Sequence, residues 1–128
     1  MRLIFCDLPE GVEALSRPGS PPTVYLARRV LRYPRRHQRA ILAHELGHVL
    51  SMTFYAPTAH WADRAWAEAR ARRRALRLLV PDTAVEAALA QGITDPWALT
   101  ELWDLPEPLC RARLELYLRT RRGDAPDP

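Results

Sequence analysis

The chain reads as an α+β protein on three observations. Apolar runs of β-branched and aromatic residues suited to strands are confined to roughly the first thirty residues. From about residue 36 the apolar residues recur at helical spacing. Helix start and stop signals then punctuate the last fifty residues or so: Thr83, Asp95-Pro96, Gly92 and Glu107. Strands gathered at one end and helices at the other predict a small N-terminal sheet, two long helices and a helical C-terminal third. The expected organisation is a core over 1–81 and a helical subdomain over 82–128, packed as one compact domain.

Composition sets the outer bounds. With 128 residues, 48% of them apolar and 27% charged, the chain has the make-up of an ordinary globular domain with a modest core and not of a disordered segment. The net charge of +4 is carried entirely by arginine, with no lysine and no asparagine. That bias fits a GC-rich genome, which weakens any reading of each arginine as a phosphate contact. Cys6 and Cys110 are too few and too far apart for a disulfide framework. The apolar stretch Leu3-Ile4-Phe5-Cys6 is too short for a signal peptide, and no run approaches a membrane span. The expectation is a soluble cytoplasmic protein.

Residues 2–8 predict a short strand closed by Pro9, with Glu10 to Ser16 forming one or two helical turns. Pro18-Gly19-Ser20-Pro21-Pro22 is a loop. Thr23-Val24-Tyr25-Leu26-Ala27 is the best strand in the chain and is expected to continue toward Val30 and Leu31. Its stretch from Val24 to Leu26 is a place where an extended peptide could add by strand pairing, and proline at Tyr25 would test that.

The first long helix is expected over about 36–55, ended by Ala56-Pro57. At 100° per residue Leu42, Leu46, Val49, Leu50 and Thr53 gather on one side. His44, Glu45 and His48 fall on another, near Ile41 and Met52. Two histidines four apart stand one turn above the other, about 40° apart around the axis, so both can reach one metal ion. His44-Glu45-x-x-His48 is thus a pattern for binding zinc and activating water, with the glutamate beside the ligands. Gly47 is unfavourable by about 1 kcal/mol in mid-helix, which close approach of another backbone or of substrate would explain.

A second long helix is expected over 58–80, capped by Thr58 or Asp63 and stopped by Pro81. Trp61, Ala65, Ala71, Ala75 and Leu79 lie within roughly 60° of Glu68 on its wheel, with Arg70, Arg73, Arg74 and Arg77 opposite. Trp66 falls off this stripe, pointing to a second contact surface or a bend. A carboxylate inside an apolar stripe is costly unless partnered, so Glu68 is the candidate third ligand; an ion pair with Arg64 or Arg72 is the alternative.

Two blocks carry a family resemblance. Arg39-Ala40-Ile41-Leu42-Ala43-His44-Glu45-Leu46-Gly47-His48 and Glu68-x-x-Ala71-x-x-Arg74-Ala75-x-x-Leu78-Leu79-x-Pro81 resemble the ImmA/IrrE family of small zinc metallopeptidases of bacterial and phage regulation. Arg74 departs from the pattern, standing where that family usually has phenylalanine. The similarity covers about residues 23–81. It implies a zincin-like fold, in which a small sheet packs on the HExxH helix and a second helix supplies a ligand. It also implies one Zn2+ per chain and a protein substrate, a helix-turn-helix regulator or repressor.

In the last third, Thr83 with Glu86 predicts a capping box for a helix ending near Gln91-Gly92. Thr94-Asp95-Pro96 predicts a cap and first-turn proline for a helix through Trp103, and Asp104 and Glu107 flank a last helix to about Arg122. This region is similar to the helix-turn-helix-like tail of many family members, though ordinary core helices would give the same pattern.

With His44, His48 and Glu68 as metal ligands, the fourth zinc position is open, as in catalytic sites. Glu45 is the catalytic base in this scheme. His60, Tyr55 and His37 are the candidate oxyanion or substrate donors. Two alternatives remain: a metal-binding regulatory or DNA- or protein-interaction module without proteolytic activity, and a nucleic-acid binder using the arginines of residues 70–74. Salt-sensitive duplex binding by a Glu68→Ala variant would favour the second.

Overall fold

A computed structural model of the chain describes residues 1–55 and 58–123. It is α+β, with a three-stranded sheet followed by five α-helices among the described residues. The chain divides into two compact units after Ala75.

In the first unit the strands are β1 (Arg2–Cys6), β2 (Ala14–Arg17) and β3 (Thr23–Ala27), in the order β1-β3-β2. β1 runs parallel to β3, with Leu3 beside Val24 and Phe5 beside Leu26. β2 runs antiparallel, with Ser16 beside Val24 and Ala14 beside Leu26. Residues side by side in a sheet share a face. Leu3, Val24 and Ser16 therefore form one row and Phe5, Leu26 and Ala14 the next. Val24 and Leu26 are the buried centre of that face.

Three expectations for this region are overturned. Residues 10–16 do not form helical turns, since Ala14–Arg17 is a strand. Its four residues have weak strand propensity, and pairing with the strong strand β3 decides their state. β3 stops at Ala27 and gives way to a 3-10 turn over Arg28–Arg32, in which Val30 is buried. Finally, β3 is the central strand, hydrogen-bonded on both sides, so it has no edge to offer a peptide.

Helix α1 (Arg35–Ser51) ends four residues before the expected limit, and Ala56-Pro57, read as its stop, lies outside the described residues. The stop is Met52, in the left-handed conformation at φ 54°. The buried face of α1 is Ala43, Glu45, Gly47 and His48. The expected core side is only half-buried at Leu42, Leu46 and Val49, and Leu50 is exposed. A helical wheel weighs hydrophobicity and not size, whereas Ala43 and Gly47 let neighbouring backbone approach closely.

Helix α2 (Trp61–Leu79) starts later than expected and is capped by neither Thr58 nor Asp63. Instead the His60 Nδ1 accepts the amide N–H of Ala62 at 3.2 Å, and the His60 carbonyl accepts that of Arg64. Its buried stripe is Ala67, Ala71, Ala75 and Leu76; Trp61 and Ala65 are exposed. Trp66 is half-exposed, with the Arg70 guanidinium 5.6 Å from its ring, so this tryptophan covers a surface arginine rather than marking a bend.

The second unit holds α3 (Asp82–Ala90), α4 (Pro96–Trp103) and α5 (Glu107–Arg121) around Val80, Val85, Leu99, Trp103, Leu105, Cys110 and Tyr117. α4 forms as expected, the Asp95 carboxylate accepting the Trp97 amide at 3.1 Å with Pro96 in the first turn. The Thr83–Glu86 capping box does not form: α3 begins two residues earlier than a Thr83 cap would place it, at Asp82, with Pro81 in the cap position and no side-chain cap. α3 gives out at Gln91, as expected, with Gly92 at φ 75°.

Candidate metal centre

The site is built where α1 crosses α2. Gly47 makes the crossing possible: a Cβ there would collide with the Ala71 carbonyl oxygen and lie 3.0 Å from its carbonyl carbon. Only hydrogen lets α1 sit directly on the α2 backbone, which brings Glu68, one turn before Ala71, over the histidines of α1. Gly47→Ala is expected to push the helices apart. Overpacking of this kind is destabilising by roughly 1–3 kcal/mol, offset in part by about 1 kcal/mol of helix propensity. A zinc titration should show affinity lowered by at least ~10-fold, since ligands set on different helices move apart; unchanged affinity would contradict this role for Gly47.

His44 and His48 project side by side from α1, their ring centroids 4.9 Å apart and nearly perpendicular. The His44 Nε2 lies 2.6 Å from Glu68 Oε2, and the His48 Nε2 lies 3.1 Å from Glu68 Oε1. His48 is buried and held from behind: its Nδ1 is 2.8 Å from the Thr53 carbonyl oxygen and 3.2 Å from the Thr53 hydroxyl. The left-handed Met52 turns the chain so that Thr53 returns beneath the histidine, its own amide bonded to the His48 carbonyl. A carbonyl oxygen only accepts, so Nδ1 carries the proton and, in the neutral ring, Nε2 presents a lone pair to the Glu68 carboxylate. Two lone pairs facing each other need a proton or a cation between them.

The donor set suits a metal ion. One ligand atom from each of His44, His48 and Glu68 lies within 4.8 Å of the others. Ligands at zinc-like bond lengths in a tetrahedron stand about 3.3 Å apart, so only a small outward shift admits an ion. The Thr53 carbonyl behind His48 is the outer support that orients a ligating imidazole. Glu68 lies at the edge of the apolar stripe, its side chain 41% exposed, and not in the middle as the wheel placed it. Its hydrogen-bond partners are His44, His48 and Tyr55, and not Arg64 or Arg72. Partial burial alone would push this carboxyl up. Hydrogen bonds from Tyr55 and His44 and the nearby histidine charges outweigh that and hold it below the ordinary glutamate value.

Tyr55 donates its hydroxyl to Glu68 Oε1 at 2.6 Å, and this bond, with some desolvation, pushes its pKa up to about 12. It therefore keeps its proton at any ordinary pH and is a donor at the rim of the site. Glu45 is buried beside the histidines. Burial raises its pKa, while His48, a hydrogen bond from Ser16 and His44 pull the other way. The cleft in front of it is small, about 100 Å³, and is lined by Ala14, Leu15, Ser16, Glu45, His48, Thr53, Phe54, Tyr55 and Glu68.

Of the residues singled out from sequence, His44, Glu45, His48, Glu68 and Tyr55 meet here. His60 caps α2 and lies against Trp61 at 5.5 Å between ring centroids. His37 lines a separate cavity two turns back along α1. Ser16 and Thr53 were not foreseen. Each reaches the site through a tertiary turn or strand pairing, for which single residues carry no sequence signal.

Compared with protein-family models, curated proteins and solved structures, the chain matches none.

Proposed function

We propose that the protein is a zinc-dependent metallo-endopeptidase of the ImmA/IrrE type, with His44, His48 and Glu68 as metal ligands and Glu45 as the catalytic base. The observation that supports it best is the convergence of three ligand atoms from two helices with a buried, separately held carboxylate beside them. A purely structural metal site has no use for Glu45. Zinc in such a site supplies Lewis-acid polarisation of a scissile carbonyl and makes water acidic enough to attack near neutrality.

The chain's own residues supply the rest. Glu45 accepts the proton of the attacking water and passes it to the departing amine. Tyr55, protonated and at the rim, is placed to donate to a developing oxyanion once Glu68 turns to the metal. β2 is the edge strand on this side of the sheet. The Ala27 amide bonds to the Glu13 carbonyl, so Glu13, Leu15 and Arg17 face β3 in the antiparallel ladder, which turns the backbone groups of Ala14 and Ser16 outward. These groups border the cleft and can hold an extended peptide across it. The family resemblance makes a helix-turn-helix regulator or repressor the proposed substrate, and the cytoplasm its place. Among the described residues no helix is long and apolar enough to cross a membrane.

The test is digestion of a random peptide library by the purified chain, read by mass spectrometry. Cleavage that a chelator abolishes and zinc restores is expected. Stoichiometric zinc without any cleavage would favour the metal-binding regulatory module instead.

A further inference from the structure

We propose that the protein forms a two-fold dimer by pairing the free edge of β1 with the same edge of a second copy, which extends the sheet from three strands to six. β1 is hydrogen-bonded to β3 on one side, and among the described residues no strand pairs with its other side.

The backbone directions decide which residues face that open side. The Arg2 amide donates to the Pro22 carbonyl at 2.8 Å, so Arg2 turns its backbone groups toward β3. Both groups of a strand residue point to one side, and the side alternates along the strand. Ile4 and Cys6 therefore also face β3, while Leu3 and Phe5 present their N–H and C=O groups at the open edge. The side chains of Leu3 and Phe5 lie in the rows of Val24 and Leu26, yet they are 42% and 38% exposed where those two are buried. Unpaired backbone and partly uncovered apolar side chains thus coincide. Strand edges are ordinarily guarded by lysine, proline, an inward-pointing charge or a bulge. β1 is Arg2-Leu3-Ile4-Phe5-Cys6, with an unbroken register against β3 and its single charge at the first position. It has no such guard.

The edge is complementary to itself. In an antiparallel ladder, residues whose groups face outward pair with others that do the same. A two-fold axis then sets Leu3 against Leu3, Phe5 against Phe5, or Leu3 against Phe5, and only the last engages both residues of each copy. In that register each Leu3–Phe5 pair exchanges both N–H···O bonds, and Ile4 meets Ile4 on the axis at the close spacing of a non-hydrogen-bonded pair. Arg2 opposes Cys6, so no like charges meet along the edge. Leu3 and Phe5 cover one another on the face they share with Val24 and Leu26. A substrate peptide suits this edge less well, because β1 lies two strand spacings, about 10 Å, from β2, which borders the metal cleft. The dimer leaves β2 free, and it does not depend on the peptidase reading.

Sedimentation equilibrium of the full chain, from about 1 to 300 µM, tests this. A five-residue edge buries less than the roughly 1,600 Å² of a standard interface, so a monomer–dimer equilibrium with a micromolar constant is expected. Phe5→Pro should weaken it by about 30-fold or more, through loss of the bonds that the Phe5 amides donate between copies. That amide faces outward, so proline removes no bond to β3, and circular dichroism verifies that the fold persists. Phe5→Glu alone should also weaken the dimer, and adding Leu3→Lys should recover it about 5-fold by opposing a lysine to each glutamate. In the unsubstituted chain, amide exchange should show Leu3 and Phe5 becoming protected as concentration rises, with Ile4 and Cys6 protected throughout. A dimer equally tight in Phe5→Pro, a charge pair that brings no recovery, or Leu3 and Phe5 amides indifferent to concentration would overturn the proposal. So would a chain still monomeric at the highest concentration, which would leave the edge to a strand of a different protein.

Discussion

Glu45→Gln is expected to lower peptide cleavage by about 10³-fold, within the usual range for loss of a general base, while zinc content stays at the wild-type level. Glutamine keeps the shape and the hydrogen bond to Ser16 but has no charge with which to take a proton. His44, His48 and Glu68 are untouched, so metal binding and activity should separate cleanly. The same substitution has a second expected effect, on stability in the metal-free protein. Burial raises the Glu45 pKa in the folded state above its unfolded value. The folded chain therefore holds that proton to higher pH than the unfolded chain, and ionised Glu45 opposes folding once pH exceeds the folded pKa. Urea denaturation should show Glu45→Gln no more stable than wild type below about pH 4, where unfolded glutamate is largely protonated. An advantage should develop as pH rises through the window above it. Equal activity in the two proteins would remove Glu45 from the mechanism.

Arg113→Ala is expected to destabilise the second unit by about 2–5 kcal/mol, the scale for truncating a large buried side chain and leaving a buried carbonyl without its donor. Arg113 is the bulkiest of the fully buried side chains, 1% exposed. Its Nε donates to the Val80 carbonyl at 2.7 Å and its guanidinium to Asp82 Oδ1 at 2.5 Å. It thereby satisfies the backbone at the point where α2 ends and α3 begins, with Pro81 between them unable to donate. Alanine leaves a buried carbonyl without its donor and a cavity the length of an arginine. Methionine, which refills most of the space, should lose only the hydrogen bonds and be less harmful, by about 1–3 kcal/mol. Thermal or urea unfolding followed by tryptophan fluorescence would measure both, since Trp103 lies in the same core. If alanine and methionine were equivalent to wild type, the joint would be held by something else.

The parts of this protein that could be read from its sequence are those whose signals are local. Asp95-Pro96 states a helix start in two residues, and the structure places α4 there. Thr23–Ala27 combines a preceding breaker with β-branched and aromatic residues, and it is a strand over those residues. The i, i+4 histidines with an intervening glutamate need only helical geometry to meet, and Glu68 needed only the reasoning that a carboxylate on an apolar stripe wants a partner. What could not be read depends on the rest of the chain. Ala14-Leu15-Ser16-Arg17 has no strand character of its own and becomes an edge strand by pairing with β3. The buried side of α1 was misjudged because close packing against Ala71 selects glycine and alanine over leucine. The end of α1 hinges on Met52 taking a left-handed conformation, which methionine rarely adopts. That turn is also what brings Thr53 beneath His48, so the least readable residue supports one of the most readable ones.

The most direct measurement is zinc content and coordination in the purified protein, by elemental analysis and X-ray absorption, for the wild type and for Glu68→Ala. One zinc per chain is expected, bound by two imidazole nitrogens and a carboxylate oxygen, with the affinity of Glu68→Ala reduced by ~100-fold or more. A protein whose His44, His48 and Glu68 are intact but which takes up no zinc would contradict the account, as would a Glu68→Ala variant that binds it equally well.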